Sequence, residues 1–362
     1  MLDLHVIQAN WGDCLLLEYR VKEQETSKFI LVDGGPTDTY IKHLQYVLKE
    51  KVGQGSHLDL VVVSHIDNDH ICGIIRFLEY LKLDKEDPEK KVPRIIIDGL
   101  WHNTFRQNIA FDSPKAKEVI ELATRAENRG HLYSLPMGDE KGFSEGEKIS
   151  KLADHLGISV NPGFKDKIIL AETASIPFEM GQLKIWILGP TRHYFENIQK
   201  KWSVWLQKID KEPTKAARDS SPPNLSSIML LVKEEGGRKI LLPGDGTDKE
   251  ILAGLKNLGK LAADGSFHVD VLKVPHHGSR RNVSPEFFEK VTADVYVISA
   301  DDKDKNKNPD LATLKWIVEA ANKQHRSIKI LATNETESIK KLKKDYGQIA
   351  VIGLSGSHYA TV

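Results

Sequence analysis

Two cysteines in 362 residues, Cys14 and Cys72, give this chain no disulfide framework. No run of about 18 apolar residues occurs, so hydropathy offers no spanning helix. The opening "MLDLHVIQAN" lacks a basic region followed by a long apolar stretch, and so does not read as a signal peptide. Charge of one sign is missing too: 51 Lys and Arg balance 51 Asp and Glu, which argues against a bulk electrostatic nucleic-acid binder and leaves only a local patch open. No internal repeat or low-complexity tract stands out. These absences lead to the expectation of a soluble, cytoplasmic protein in a reducing compartment, without membrane contact. The remaining composition, 40% hydrophobic and 28% charged, is that of a globular enzyme with a sizeable core.

The chain opens with three short β-rich runs, "LDLHVIQA", "DCLLLEYR" and "KFILVDGG", separated by a Gly12-Asp13 turn and a charged segment. This is a meander. "TDTYIKHLQYVLKEKV" follows with apolar residues at helical spacing, and Thr37 or Asp38 is its expected N-cap. "LDLVVVSH" is a continuous apolar run, the pattern of a strand buried on both faces. Beyond it, strands ("RIIIDGL", "LKIWILGP", "SSIMLLV", "KILLPGD", "VDVLKVPHH", "VYVISA", "IKILATN") alternate with helical segments at Pro114 to Arg129, His193 to Ile209, Lys249 to Leu258 and Leu311 to Asn322. "VKEEGGRK" reads as a hairpin in which Gly236 and Gly237 take positive φ. The Pro/Ser-rich "KEPTKAARDSSPPN" leads straight into a strand rather than linking domains. One α/β domain over 1–362 is therefore expected, with landmarks over 3–300 and an α/β completion over 301–362.

The apolar run "VVV" ends abruptly in "SHIDNDHICG", which sets His65, Asp67, Asp69 and His70 within six positions. Free carboxylates inside a buried strand would cost too much desolvation, whereas the loop just after it lies at the sheet's carboxyl edge. Such a loop can aim groups at two nearby points, which suits two metal ions better than one closed structural zinc. An Asp-rich turn with two surface histidines is the competing reading. Three further strands weigh against it: "FILVDGG" ends in Asp33, "KILLPGDG" in Asp245, and "VLKVPHHGS" in His276, His277 and Ser279. Four strands that each deliver Asp or His, followed by glycine, point to a metal centre.

"SHIDNDH" resembles the His-x-His-x-Asp-His signature of the metallo-β-lactamase superfamily, with Asp67 in the second His place. Together with "GDCLLLE", "NLSSIMLLV", "ILLPGD" and "PHHGS", it is similar to the ComEC-like subgroup. The resemblance implies a four-layer αββα sandwich with two mixed β-sheets and a metal centre at one edge. It implies His65 and Asp67 as ligands of one ion, Asp69 and His70 of a second, and Asp245 as the bridge. His277 is the expected last ligand, with His276 as the alternative or as a general acid. Asp33 would accept a hydrogen bond from a ligand histidine and fix its tautomer. The family's third-motif histidine has no clear counterpart; Asn224 and Ser226 sit near its place. Gaining Asp67 and losing that histidine shifts the donors toward oxygen, which favours manganese or magnesium relative to zinc. The cofactors expected are two divalent ions, zinc or manganese, with magnesium a further option.

Catalysis is expected to rest on Asp69, Asp245 and His276, with a metal-held hydroxide attacking a phosphodiester. Ser279, Arg280, Arg281 and Asn224 are candidate contacts to the substrate, which would be a nucleic acid or nucleotide. The arginines read equally well as solvated charges at a helix entry. His57 and His102 read as isolated surface or locally bonded histidines, and Cys72 as apolar packing. Two other readings compete: hydrolysis of a small carbon ester, lactone or thioester, and a binding or regulatory member whose site is retired. An effector partner in a larger system is a further expectation.

Overall fold

The computed structural model describes residues 1–20, 27–103, 142–164, 168–173, 176–196, 227–303, 307–347, 350–354 and 356–362, with isolated positions between 118 and 207. The expected helix over Pro114 to Arg129, most of that over His193 to Ile209, and the candidate residues Asn224 and Ser226 lie outside the described residues.

In the first half the strands are β1 (Leu2–Ile7), β2 (Leu15–Arg20), β3 (Ser27–Val32), β4 (His57–Leu58), β5 (Leu60–Val62), β6 (Ile96–Ile97), β7 (Gly99–Trp101) and β8 (Ser159–Val160). The second half supplies β9 (Phe178–Met180), β10 (Leu183–Gly189), β11 (Met229–Glu234), β12 (Lys239–Leu242), β13 (Phe267–Lys273), β14 (Val291–Ile298), β15 (Lys329–Ala332), β16 (Ala350–Gly353) and β17 (Tyr359–Thr361). The helices that matter here are α1 (Gln45–Lys51), α2 (Asn68–Glu86), α3 (Gly142–Leu156), α4 (Asp248–Asn257), α5 (Pro285–Lys290), α6 (Leu311–Lys323) and α7 (Glu337–Asp345).

Two large mixed sheets result. One has the order β17-β1-β2-β3-β5-β7-β8, the other β16-β15-β14-β13-β12-β11-β10-β9. Each is antiparallel in one half and parallel in the other, and the chain's end closes onto its beginning through His5↔Thr361 pairing. The alternating side chains sort into three apolar clusters. Val62, Trp101, Leu230 and Val271 join the inner faces of both sheets; Val61, Val63, Ile71 and Ile74 join the first sheet to α2; Leu272, Ile298, Ile317 and Leu342 join the second to α6 and α7. The architecture is therefore helix, sheet, sheet, helix, one layer more than most domains use. No helix among the described residues is long and apolar enough to cross a membrane.

Local readings needed correction in three places. The run "RIIIDGL" is split between β6, which pairs with β4, and β7, which pairs with β5, with Asp98 at the change of partner. The helix after β3 starts at Thr37 with Pro36 in the capping position and no side-chain cap, so neither Thr37 nor Asp38 is the cap. In the β11–β12 turn Gly236 alone takes positive φ, at 66°.

The first turn of α2 lies backbone to backbone against the exit of β3. Gly34 N–H donates to His70 C=O and Gly73 N–H to Gly35 C=O, both at 2.8 Å. A Cβ on Gly73 would sit 1.8 Å from the Gly34 carbonyl oxygen. Gly73→Ala should therefore lower stability by about 1–3 kcal/mol through overpacking, although alanine is the better helix former. A urea midpoint equal to wild type would show that the two backbones can separate freely.

Candidate metal centre

Every group in question leaves its strand at the same edge of the sandwich. β3 delivers Asp33, β5 delivers Ser64 and His65, β12 delivers Asp245, and β13 delivers His276 and His277. The two sheets are tied together there, since Ile228 N–H donates to Ser64 C=O at 2.8 Å. The loop from β5 runs through Asp67, which is extended at φ −72° and ψ 148°, into α2 with Asp69 in its first turn. A helix N-terminus favours negative charge, so both carboxylates sit where the dipole stabilises them.

Asp245 is the centre of the arrangement. Its Oδ1 lies 3.4 Å from His70 Nε2 and 3.7 Å from His277 Nε2. Its Oδ2 lies 3.5 Å from His65 Nε2 and 3.7 Å from His276 Nε2. Asp67 Oδ2 stands 3.6 Å from His65 Nε2, while Asp69 Oδ2 stands 3.1 Å from His277 Nε2 and 3.8 Å from His70 Nε2. The structure thus divides the donors by carboxylate oxygen: His65, Asp67 and His276 on one side, Asp69, His70 and His277 on the other. Both candidates of the histidine pair converge on Asp245 rather than one excluding the other.

His65, His70, His277 and Asp245 are buried, whereas Asp67 and His276 are partly exposed and mark the open side. His65 Nε2, His70 Nε2, His277 Nε2 and Asp245 Oδ1 are buried without a hydrogen-bond partner. Buried polar atoms are rarely left so, and a cluster of imidazole and carboxylate donors with their lone pairs turned toward one another fits divalent cations. With only protons to share, the groups settle as ion pairs. Burial would lower the His70 imidazole, and His65 opposes its charge as well, yet the surrounding carboxylates carry it up to about 9. Burial likewise works against charge on His65 and His277, but Asp245 with Asp67, and Asp13 with Asp245, hold them well above the usual histidine value. Asp245 is held well below the carboxylate range against its burial by the four histidines around it.

The far sides of the rings are fixed as well. Asp33, at φ 60°, accepts the Ser64 N–H and hydroxyl at 2.7 Å each and pairs with His70 Nδ1 at 2.8 Å. His277 Nδ1 donates to the Ser299 carbonyl at 2.8 Å, and His65 Nδ1 lies 3.0 Å from Ser64 Oγ. Such partners set the tautomer that leaves Nε2 as the lone-pair donor.

Several of these groups escaped sequence reasoning. Asp13 and Lys273 form a buried ion pair at 2.8 Å, with the other Asp13 oxygen 3.4 Å from His277 Nδ1. Asn282 Nδ2 donates to the Asp245 carbonyl, and the Asp245 N–H donates to Ser227 Oγ. A lysine inside "VDVLKVP" was the available signal, because an unpaired charge does not belong in a buried strand.

Of the expected substrate contacts, Ser279 is buried and serves the turn itself, donating N–H to His276 C=O at 2.9 Å and accepting from Arg281 N–H. Arg280 and Arg281 are exposed, and Arg280 leans toward Asp310. His57 is exposed beside Asp98, as read, but His102 is not: it is fully buried, neither ring nitrogen has a partner, and burial lowers it to about 4. At the end of β7 the Asn161 side chain holds its backbone, accepting from His102 N–H at 2.8 Å and donating to His102 C=O at 2.7 Å.

Three comparisons relate this chain to known proteins. ComE operon protein 3 of Bacillus subtilis is 30% identical over 123 residues, which is 34% of this chain and 14% of that protein. A β-lactamase domain protein from Burkholderia ambifaria, of solved structure, is 10% identical, with 95% of this chain and 73% of that one covered at a TM-score of 0.28. A model described as the metallo-β-lactamase superfamily matches residues 14–130. Residues 14–130 thus resemble the metallo-β-lactamase superfamily, and the two large mixed sheets are consistent with that fold.

Proposed function

We propose that this chain is a metal-dependent hydrolase that cleaves phosphodiesters in nucleotides or nucleic acid. The observation that supports it most is the division of donors across one carboxylate, with Asp245 Oδ1 and Oδ2 each facing two histidines at 3.4–3.7 Å. His65, Asp67, Asp69, His70, Asp245 and His277 would hold two divalent cations. When bound, the cations supply Lewis acidity and bring the pKa of a water toward 7. Three aspartates among the donors favour manganese or magnesium relative to zinc.

The chain's own residues do the rest. Asp33 and the Ser299 carbonyl orient the rings of His70 and His277, and burial of His65, His70, His277 and Asp245 keeps bulk water from them, while Asp67, Asp69 and His276 are partly exposed. A scissile phosphodiester would enter past the exposed Asp67 and His276. Exposed Arg281, two residues past buried Ser279, would meet its free oxygens. The test is turnover of bis-p-nitrophenyl phosphate by metal-stripped protein refilled separately with manganese, zinc or magnesium. Turnover restored by at least one metal is expected. Silence with every metal despite stoichiometric binding would move the activity to carbon esters.

A further inference from the structure

From the turn after β13 we infer that His276 is itself a metal ligand, the third protein donor on the Asp245 Oδ2 side; this rests on the proposed two-metal centre and deepens it. Open catalytic metal positions characteristically take three protein ligands and leave one place for water or substrate. Besides Asp245, the Oδ1 side has three donors, the buried His70 and His277 and the partly exposed Asp69. Besides Asp245, the Oδ2 side without His276 would have two, His65 and the partly exposed Asp67. His276 Nε2 stands 3.7 Å from Oδ2, the same distance that separates His277 Nε2 from Oδ1. The two adjacent histidines therefore serve opposite oxygens of one carboxylate.

The backbone explains how neighbours achieve this. In an extended strand they would point to opposite faces. Here His276 (φ 47°, ψ 51°) and His277 (φ 56°, ψ 19°) are both left-handed, and Gly278 follows at φ 86°. Left-handed geometry is uncommon for residues other than glycine and strains the backbone where it occurs. The turn is nonetheless firmly held. His276 N–H donates to Gly244 C=O at 3.1 Å, Asp310 N–H donates to Gly278 C=O at 3.1 Å, and a Cβ on Gly278 would meet Pro309 Cβ at 2.8 Å. Strain that the surroundings maintain in this way clusters at functional sites. Among the described residues, His276 Nδ1 is buried without a hydrogen-bond partner to orient the ring. Coordination at Nε2 is what would fix the ring.

The experiment counts ions. The full chain, stripped and then titrated with Mn²⁺, is followed by calorimetry and by the spin coupling of paired Mn²⁺ in electron paramagnetic resonance. Wild type is expected to bind two coupled ions. His276→Ala should bind one, or lose the weaker ion by more than the roughly 10–100-fold that removal of an outer hydrogen-bond partner costs. His276→Asn is the second variant: asparagine accepts left-handed φ, so the turn should fold, and its short side chain stops short of the metal. An uncoupled signal from one remaining ion in both variants supports the assignment. As many ions in the variants as in wild type, at affinities within about threefold, overturns it and leaves His276 as a proton donor. Wild type that binds two ions but hydrolyses no phosphodiester would sink the proposed substrate alone.

Discussion

Asp245→Asn is expected to reduce metal-saturated turnover of the phosphodiester probe on the order of 10³-fold, because Lewis-acid stabilisation is worth several kcal/mol and 1.36 kcal/mol is one decade. The substitution keeps shape and removes charge. Asparagine offers one carbonyl oxygen where Asp245 presents Oδ1 to His70 and His277 and Oδ2 to His65 and His276. The bridge is lost while the Asp245 backbone bonds to Ser227 and Asn282 remain. Turnover within tenfold of wild type, with two ions still bound, would remove Asp245 from the centre.

A second readout comes from pH. In metal-free protein the His70 pKa is raised to about 9, its burial overcome by nearby carboxylates including Asp245. A group raised in the folded state stabilises fully below its unfolded value of about 6.5, and that contribution is lost as pH climbs through the folded value. Metal-free wild type should therefore lose stability between about pH 6.5 and 9. Metal affinity runs the other way, rising with pH, because ions displace the ring protons. Asp245→Asn removes an anion that holds the proton on His70, so the stability profile over that window should flatten. A slope unchanged from wild type would mean that other carboxylates hold the imidazolium.

Much of this was legible because burial is a harsh filter. "LDLVVVSH" declares a strand covered on both faces, and the polar cluster after it can only stand at the strand's exit. The same logic located Asp33, Asp245 and the His276-His277 pair, since each follows an apolar run whose length a strand explains. The four-layer sandwich, implied by resemblance, follows in the structure from the three apolar clusters. Three things were not legible. Left-handed φ at His276 and His277 leaves no trace in residue type, because only glycine or asparagine would have announced it. The backbone of buried His102 is held by Asn161, which is far away in sequence. The partner of Lys273 lies 260 positions earlier, in a turn whose aspartate read as loop chemistry.

That last pair sets the largest expected effect on stability: Lys273→Met should cost about 3–5 kcal/mol, a large share of the 5–15 kcal/mol that holds a typical domain together. Lys273 and Asp13 are 0% and 1% exposed, and the ammonium lies 2.8 Å from Asp13 Oδ2 while donating to the Val274 carbonyl at 3.0 Å. Methionine fills much of the lysine's volume, so the loss is electrostatic rather than a cavity. Burial by itself would raise the Asp13 carboxyl; the Lys273 charge, helped by His277, instead holds it well below the usual range. A group depressed in this way stabilises above its unfolded value and loses that contribution as pH falls, so wild type gains from the pair at neutral pH. Without Lys273 the carboxylate is left buried against Asp33 and His70 with its main counter-charge gone. The double variant Asp13→Leu with Lys273→Met should recover most of the stability, since removing both charges is often neutral where removing one is not. Recovery of stability without recovery of Mn²⁺ affinity would show that Asp13 also steadies His277, whose Nδ1 it approaches at 3.4 Å. Urea midpoints for wild type and the two variants decide it: a Lys273→Met midpoint near wild type would mean that water reaches Asp13, and the buried pair would then contribute nothing to the fold.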